Sequence, residues 1–252
     1  MRDESTGWVT LHPGELYLLW TELGLGELPD VLEIPHVGRT AAARAELIAI
    51  ADEALAGRGL GTVARPAPDL EELLRALAAP ELTVDMRAVG QDRSFRAVGA
   101  IGRFGVVTIG VAEGDVRLGP VERAELVGTI LGALSPLPAG PGGPGNARFA
   151  DYRRACRAAE HEGAGGFLDV LRGAGVRSSE AGTFLRAIEG RAAGGYLGAT
   201  STAHGRSPGT VNWVDTEQGR YVLRRHGDWV TVTPADLARL HSMAEEMVAD
   251  LA

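Results

Sequence analysis

The chain has 252 residues, and all 25 of its basic side chains are arginine, because the sequence contains no lysine. Without that amine the chain cannot form a Schiff base with pyridoxal phosphate, and it lacks the Walker A and protein-kinase lysines. Its 33 acidic residues give a formal net charge of -8. Because the arginines form no long cluster in the sequence, we do not expect a nucleic-acid partner.

The composition is that of a soluble globular protein, with 45% hydrophobic residues and a mean hydropathy of zero. The single Cys156 cannot form an internal disulfide, and we expect it to be a small buried residue rather than a nucleophile. Residues 1–10 are charged and hold no apolar stretch suited to export or membrane insertion. The sequence therefore predicts a cytoplasmic protein.

The first half of the chain begins with a short strand that is followed by three predicted helices and then by a meander of antiparallel strands. Apolar residues at helical spacing mark the helices: Leu16, Leu19, Trp20 and Leu23; Leu47, Ile50 and Ala54; Leu70, Leu73, Leu74 and Leu77. Alternating apolar residues mark the strands: Val84 and Met86, Phe95 to Ile101, Val107 to Val111, and Val116 to Leu118.

Residues 136–145 are too rich in proline and glycine to form a helix or a central strand, and they divide the chain nearly in half. Beyond them, residues 149–192 carry helical stripes interrupted by glycines. Strands are predicted at Tyr196 to Thr200, Val211 to Asp215 and Tyr221 to Arg225, and the chain closes with a strand and a long helix. We predict one domain over residues 1–252 with pseudo-halves at 1–135 and 146–252.

An internal repeat supports two similar halves. Residues 8–16 align with residues 229–237 at a constant offset of 221, with five of nine positions identical, and residues 116–122 form a weaker third copy. Each copy is interpreted as a strand that enters a helix, with proline at the first helical position and an acidic residue near the positive helix end.

Two motifs match known signatures in letters only. Residues 205–209 match G-x-S-x-G, but Pro208 has no N–H for an oxyanion hole and a strand rather than a helix is predicted to follow. A hydrolase using Ser207 with His204 is thus an alternative that the context disfavours. Residues 140–145 match G-x-G-x-x-G, yet no strand leads into them and two prolines interrupt the loop, so we interpret them as a linker.

The polar residues give no metal or cofactor signature. Successive residues of Glu160, His161 and Glu162 point about 100° apart on a helix, so they cannot converge on one ion. Asp215 and Arg220 flank a predicted hairpin turn, which accounts for the polar residues between them. We therefore expect no metal and no cofactor, and a small-ligand sensor is kept only as a third alternative.

The tryptophans indicate a surface for a protein partner. If Val230 and Val232 face helices, as Val9 and Leu11 should, then Trp229 and Thr231 share the opposite face of the sheet with Trp8 and Thr10, and we expect Asn212 to join them. Aromatic residues on a half-polar sheet face are typical of a binding surface. The alternative is that a helix from the other half covers them.

Several segments taken together resemble the EspG family of ESX (type VII) secretion-associated chaperones. They fall in the family's order along nearly the whole chain: residues 32–38 with Thr40, residues 82–85, residues 116–120, the proline- and glycine-rich break, residues 195–199, residues 214–216, residues 219–221 and residues 229–236. An arginine-only, alanine- and glycine-rich composition is typical of a high-GC actinobacterium.

The resemblance implies a quasi-two-fold α/β (α+β) fold with a central antiparallel sheet and two helical bundles, and a cytosolic, non-enzymatic role. It implies binding of a PE–PPE-like or other ESX substrate heterodimer, whose hydrophobic tip the chaperone covers. The family's contact surface comprises the sheet, a hairpin of the first half and the C-terminal bundle. The candidate contact residues are therefore Gln91, Asp92 and Arg93 of the hairpin together with Asn212, Trp229 and Thr231. We expect a monomer or weak homodimer when free.

Overall fold

The computed structural model describes residues 6–90 and 93–251. In the first half of the chain the elements are β1 (Val9–Leu11), α1 (Pro13–Glu22), α2 (Ala41–Ala56), α3 (Pro68–Ala78), β2 (Leu82–Val89), β3 (Ser94–Gly102), β4 (Gly105–Ala112), β5 (Asp115–Pro120) and α4 (Leu126–Leu131). In the second half they are β6 (Gly145–Arg148), α5 (Phe149–Gly173), α6 (Ser178–Ile188), β7 (Arg191–Ser201), β8 (Gly205–Arg206), β9 (Val211–Thr216), β10 (Gly219–His226), β11 (Trp229–Pro234) and α7 (Leu237–Ala249).

The strands form one antiparallel sheet in the order β1-β5-β4-β3-β2-β7-β9-β10-β11-β6, with β8 paired to β7. The five strands of the first half lie together on one side, and those of the second half lie on the other. They meet where β2 pairs with β7, in a register that runs from Leu82 opposite Ser201 to Val89 opposite Gly194. The predicted mixed fold with a central antiparallel sheet is confirmed. The strand order is consistent with the predicted pseudo-halves, whose boundaries stay a prediction.

One face of the sheet carries two separate groups of helices. The first bundle, α1 to α3, packs on β1, β5, β4 and β3, and the second bundle, α5 and α6, packs on β6, β11 and β10. On the opposite face, α4 and α7 cover the middle of the sheet, where they contact β2, β3, β7 and β9. On the first face, the centre of the sheet over β2, β7 and β9 therefore lies between the two bundles.

The strongest sequence repeat does not join equivalent parts of the fold. Residues 8–16 contain β1, an edge strand, whereas residues 229–237 contain β11, the second strand from the other edge. The strand that occupies the place of β11 in the first half is β5, which belongs to the weaker third copy. The physical reason is that a strand followed by a helix is a local pattern, and its place in the sheet depends on pairing partners that are distant in sequence.

The predicted proline at the first helical position is correct only for the first copy. Pro13 opens α1, and His12 caps that helix by accepting a hydrogen bond from Gly14 N at 3.1 Å. In the second copy Pro234 is the last residue of β11, and Asp236 caps α7 through Arg239 N at 2.8 Å. The third copy behaves similarly, because Pro120 ends β5. Proline is compatible with the end of a strand as well as with the start of a helix.

The buried side of α2 differs from the prediction. Ile50 is 65% exposed and Ala54 is exposed, whereas Ala51 and Leu55 are buried. The helix thus packs along a line displaced by one residue from the predicted stripe. Alanines of α2 lie on all sides of the helix, so its apolar pattern does not single out one side.

The proline- and glycine-rich segment is held tightly against the sheet. Gly140 N donates to Arg220 O at 3.0 Å, Arg220 N donates to Pro138 O at 2.9 Å, and the Tyr221 hydroxyl donates to Pro141 O at 3.0 Å. The segment also ends in structure that the sequence did not predict, because Gly145 begins the edge strand β6. Residues 136–145 therefore join the two halves through ordered contacts.

Candidate functional site

A cleft crosses the centre of the sheet between the two bundles, and we call it the central cleft. Its first-bundle end holds about 580 Å³ and its second-bundle end about 520 Å³. Arg87 and Tyr196 line both ends, so the two parts are continuous. The cleft exists because side chains at alternate positions of β2, β7 and β9 point to this face, and neither bundle extends far enough to cover them.

Ion pairs hold the floor of the first-bundle end. Arg206 Nη1 donates to Asp85 Oδ1 at 2.6 Å and Arg206 Nη2 donates to Asp85 Oδ2 at 3.0 Å, which is bidentate pairing. These hydrogen bonds raise the pKa of the Arg206 guanidinium above its ordinary value. Beside them, Glu33 accepts from Arg87 at 2.5 Å and pairs with Arg96 at 2.5 Å. The charged side chains of the floor are thus paired with one another, and these ion pairs hold them in place.

The second-bundle end is more apolar. Val89, Ile188, Val214 and Leu223 line it together with Tyr152, Asn212 and Arg191. Val89, the last residue of the central strand β2, is 45% exposed, so this end of the cleft presents a large apolar side chain to solvent. Apolar area bordered by polar and aromatic groups suits contact with another protein.

Asn212 lies in this cleft, on the face opposite to the predicted one. It pairs with Leu223, and Leu223 pairs with Val232. Residues directly opposite in an antiparallel sheet point to the same face, so Asn212 shares the face of Val232 and of the second bundle. The prediction that Asn212 joins Trp229 was therefore wrong, because strand parity cannot be compared between strands before their register is known.

Trp229 and Thr231 do share a face with Trp8 and Thr10, as predicted, but the two pairs lie near opposite edges of the sheet. Eight strand spacings separate β1 from β11, on the order of 38 Å, and α4 and α7 lie between them. Trp229 is 46% exposed and lies under Arg148, whose guanidinium is 4.7 Å from the ring centre. They are thus two separate patches rather than one surface.

The hairpin candidates can be placed only in part. Gln91 and Asp92 lie outside the described residues. Arg93 Nε pairs with Glu113 Oε1 at 3.1 Å, and both side chains are largely exposed. This pair connects the β2–β3 hairpin to the β4–β5 turn at the end of the sheet, close to Val89 of the central cleft in sequence.

The structure gives the G-x-S-x-G match a structural role. The Ser207 hydroxyl hydrogen bonds to Gly209 O at 3.2 Å and accepts from Gly209 N at 3.3 Å, as in a local turn. The strand β9 follows, as predicted. Within the described residues, no group of His, Cys, Asp and Glu side chains could hold a metal ion. Asp215 and Arg220 form a buried ion pair beside the β9–β10 hairpin, with Arg220 Nε 2.6 Å from Asp215 Oδ1.

Sequence reasoning missed most of the cleft residues. Their signal was present in residues 82–87, where the buried Leu82, Val84 and Met86 alternate with Thr83, Asp85 and Arg87. That alternation indicates one apolar and one polar face on a strand that lies at the centre of the sheet. It does not indicate that helices would leave the polar face open.

An open cleft at the centre of a sheet, with aromatic, apolar and ion-paired side chains, is a surface suited to binding another protein. The model of the EspG family matches residues 12–246, and the chain belongs to that family. The sequence-based family assignment is therefore confirmed.

Among solved structures, the fold is similar to that of the Mycobacterium tuberculosis type VII secretion system chaperone EspG5, determined in complex with a PE25–PPE41 dimer. The TM-score is 0.77 at 16% sequence identity, and the match covers 97% of this chain and 96% of that chain. At this identity the similarity concerns the fold. No curated protein matches the sequence. Of the helices in residues 6–90 and 93–251, none has the length and apolarity needed to span a membrane.

Proposed function

We propose that this chain is a cytoplasmic, non-enzymatic chaperone of a type VII secretion system, and that it binds a PE–PPE-like or similar ESX substrate heterodimer. The central cleft is the observation that carries the proposal. It offers the apolar tip of such a partner an apolar end at Val89, Ile188 and Leu223 and a polar floor at Tyr196 and Asn212. Membership in the EspG family supports the choice of partner.

The geometry of the cleft favours a protein partner over a small molecule. Both ends are open troughs on a sheet and not enclosed cavities, and the arginines and carboxylates of the floor, Arg87 with Glu33 and Arg206 with Asp85, already pair with each other. A partner that covers Val89 and its apolar neighbours gains burial of apolar area, at roughly 25 cal/mol per Å² before the costs of association. The fixed ion pairs lose little conformational entropy on binding.

The proposal is tested by co-expressing the chain with the PE–PPE-like pair encoded nearest to its gene. We expect one co-eluting complex in size-exclusion chromatography and a pair that aggregates without the chain. If the pair is soluble alone and elutes separately from the chain, the proposed function is wrong.

The contact surface is tested with two double variants on opposite faces. Tyr196→Ala with Asn212→Ala removes polar contacts from the cleft floor, and Trp229→Ala with Thr231→Ala removes the exposed patch on the other face. We expect the cleft variant to weaken the complex about tenfold or more, and the other variant to weaken it less. The reverse order would assign contact to the Trp229 patch, which stays a sequence-based prediction, and thermal unfolding checks that both variants fold.

A further inference from the structure

We propose that the central cleft selects the orientation of its partner by charge polarity. In this arrangement the partner's tip presents a basic side chain to residues 27–30 of the first-bundle end and an acidic side chain to Arg191 of the second-bundle end. The inference rests on the proposed function, because it concerns the same partner and the same surface.

The first-bundle end carries unbalanced negative charge. Glu27 and Asp30 are exposed and line this end. Within the described residues neither takes part in an ion pair, whereas Glu33 and Asp85 are occupied by arginines. Glu27 and Asp30 also line an adjoining hollow of about 530 Å³, where the rings of Tyr17 and His36 stack at 5.0 Å. Carboxylates beside aromatic faces suit an arginine or lysine side chain.

The second-bundle end carries the opposite charge. Arg191 lines it together with Arg87, which is already paired with Glu33, and no carboxylate lines it among the described residues. Arg191 is exposed, and the described part of the chain provides it with no ion-pair partner. Because apolar side chains lie beside these arginines, the matching segment of the partner is an apolar one that carries an acidic residue.

The two ends matter because shape alone leaves the orientation open. From one edge inward the sheet runs β1-β5-β4-β3-β2, and from the other edge it runs β6-β11-β10-β9-β7, so in each half the first strand is at the edge and the later strands follow in reverse order. A helical bundle also flanks the cleft on each side. Similar shapes on both sides would accept a tip in two opposite orientations. Opposite uncompensated charges at the two ends favour one of them, because the reversed orientation places like charges together.

The test measures the association rate and Kd of the purified wild-type chain with the PE–PPE-like pair at about 50 mM and about 300 mM salt. Asp30→Arg and Arg191→Glu each reverse the charge at one end. We expect each to weaken binding by roughly three- to tenfold at low salt, mainly through slower association, and to differ less from wild type at high salt.

Matched controls separate polarity from net charge. Glu46→Arg on α2 and Arg157→Glu on α5 make the same charge changes at exposed positions outside the cleft, and we expect them to bind like wild type.

The outcomes distinguish this inference from the proposed function. If the wild-type chain binds the pair but the cleft variants match their controls, the polarity inference is overturned and the proposed function stands. If the wild-type chain does not bind the pair at either salt concentration, the proposed function fails and the inference fails with it.

Discussion

Arg220 is the most thoroughly buried charge among the described residues, with no exposed side-chain surface. Its Nε and Nη2 atoms pair with Asp215 at 2.6 Å and 3.1 Å, and Nη2 also donates to Ser135 O at 3.1 Å. Its backbone N and O atoms hold the proline- and glycine-rich segment. A single residue thus connects the β9–β10 hairpin to the segment that joins the two halves.

Replacing only one partner of this pair should be costly. Arg220→Met leaves the Asp215 carboxylate unpaired at a nearly buried position, and we expect a loss of about 3–5 kcal/mol in the free energy of unfolding. The double variant Arg220→Met with Asp215→Leu should lose less, because no buried charge remains. Urea unfolding measures both. Arg172→Met is the control, since the ion pair of Arg172 with Asp169 is exposed and 3.7 Å long. An equal loss of stability in Arg220→Met and Arg172→Met would contradict the conclusion that the Arg220–Asp215 pair is a buried, stabilising ion pair.

Cys156 is expected to react slowly in the native protein. Burial raises the pKa of its thiol, and the hydrogen bond with Tyr152 opposes that rise by a smaller amount. Since the thiolate is the nucleophile, iodoacetamide at a pH near 8 should alkylate the native thiol more slowly than the thiol in urea, as followed by mass spectrometry. The folded state also holds the thiol proton more tightly, so this group lowers stability as the pH rises past the unfolded pKa. Native alkylation as fast as in urea would contradict this interpretation.

At the residue scale the sequence was most informative about burial and least informative about faces. The prediction that Trp229 and Trp8 share a face is correct because each lies next to valine on a strand whose apolar side is clear. Asn212 was assigned to the wrong face because its own strand alternates Val211 and Trp213 with Asn212 and Val214, so both sides hold apolar residues. Only the register with Leu223 decides the question.

At the scale of elements, the contacts of the proline- and glycine-rich segment give a direct test. A Cβ atom on Gly140 would lie 2.1 Å from Tyr221 Cζ, and the Tyr221 side chain is fully buried. Gly143, three residues further on, has no described atom within 4 Å of such a Cβ. One glycine is thus required by packing, and the other is not.

We expect Gly140→Ala to destabilise the protein by about 1–3 kcal/mol, because the buried ring must shift. Gly143→Ala should be neutral or stabilising by up to about 1 kcal/mol, because alanine restricts the unfolded chain. Thermal or urea unfolding of the two variants compares them directly. Equal stability would show that the segment does not pack on Tyr221 as described.

Elements with strong local patterns were predicted, and those defined by distant partners were not. The alternation in β2 to β5 and the stripes of α1 and α3 are visible because large apolar side chains mark one side. The edge strand β6 was missed because Gly145, Asn146, Ala147 and Arg148 have no strand pattern of their own; Ala147 is buried because pairing with β11 places it in the core beneath the second bundle. The central cleft was missed for a related reason, since the sequence does not state how far each bundle extends over the sheet.

At the scale of the whole molecule, the two halves are joined chiefly along β2 and β7, with help from the Asp85–Arg206 pair and from α4 and α7 in the core between them. The floor of the central cleft is this same junction. A partner seated in the cleft therefore contacts both halves at once, and its binding should protect the backbone amides of β2 and β7 from hydrogen exchange more than those of the edge strands β1 and β6.

The junction also has a consequence for the order of folding. Leu82 pairs with Ser201 although more than one hundred residues separate them, whereas β3, β4 and β5 pair through short hairpins. Closing such a long loop costs more chain entropy than closing a hairpin, so the meander of each half should form first and β2 should join β7 late. Pulsed hydrogen-exchange labelling during refolding should show amides at the β2–β7 junction gaining protection after those of β3 to β5. A newly made chain would then complete the floor of the central cleft in the last step of folding.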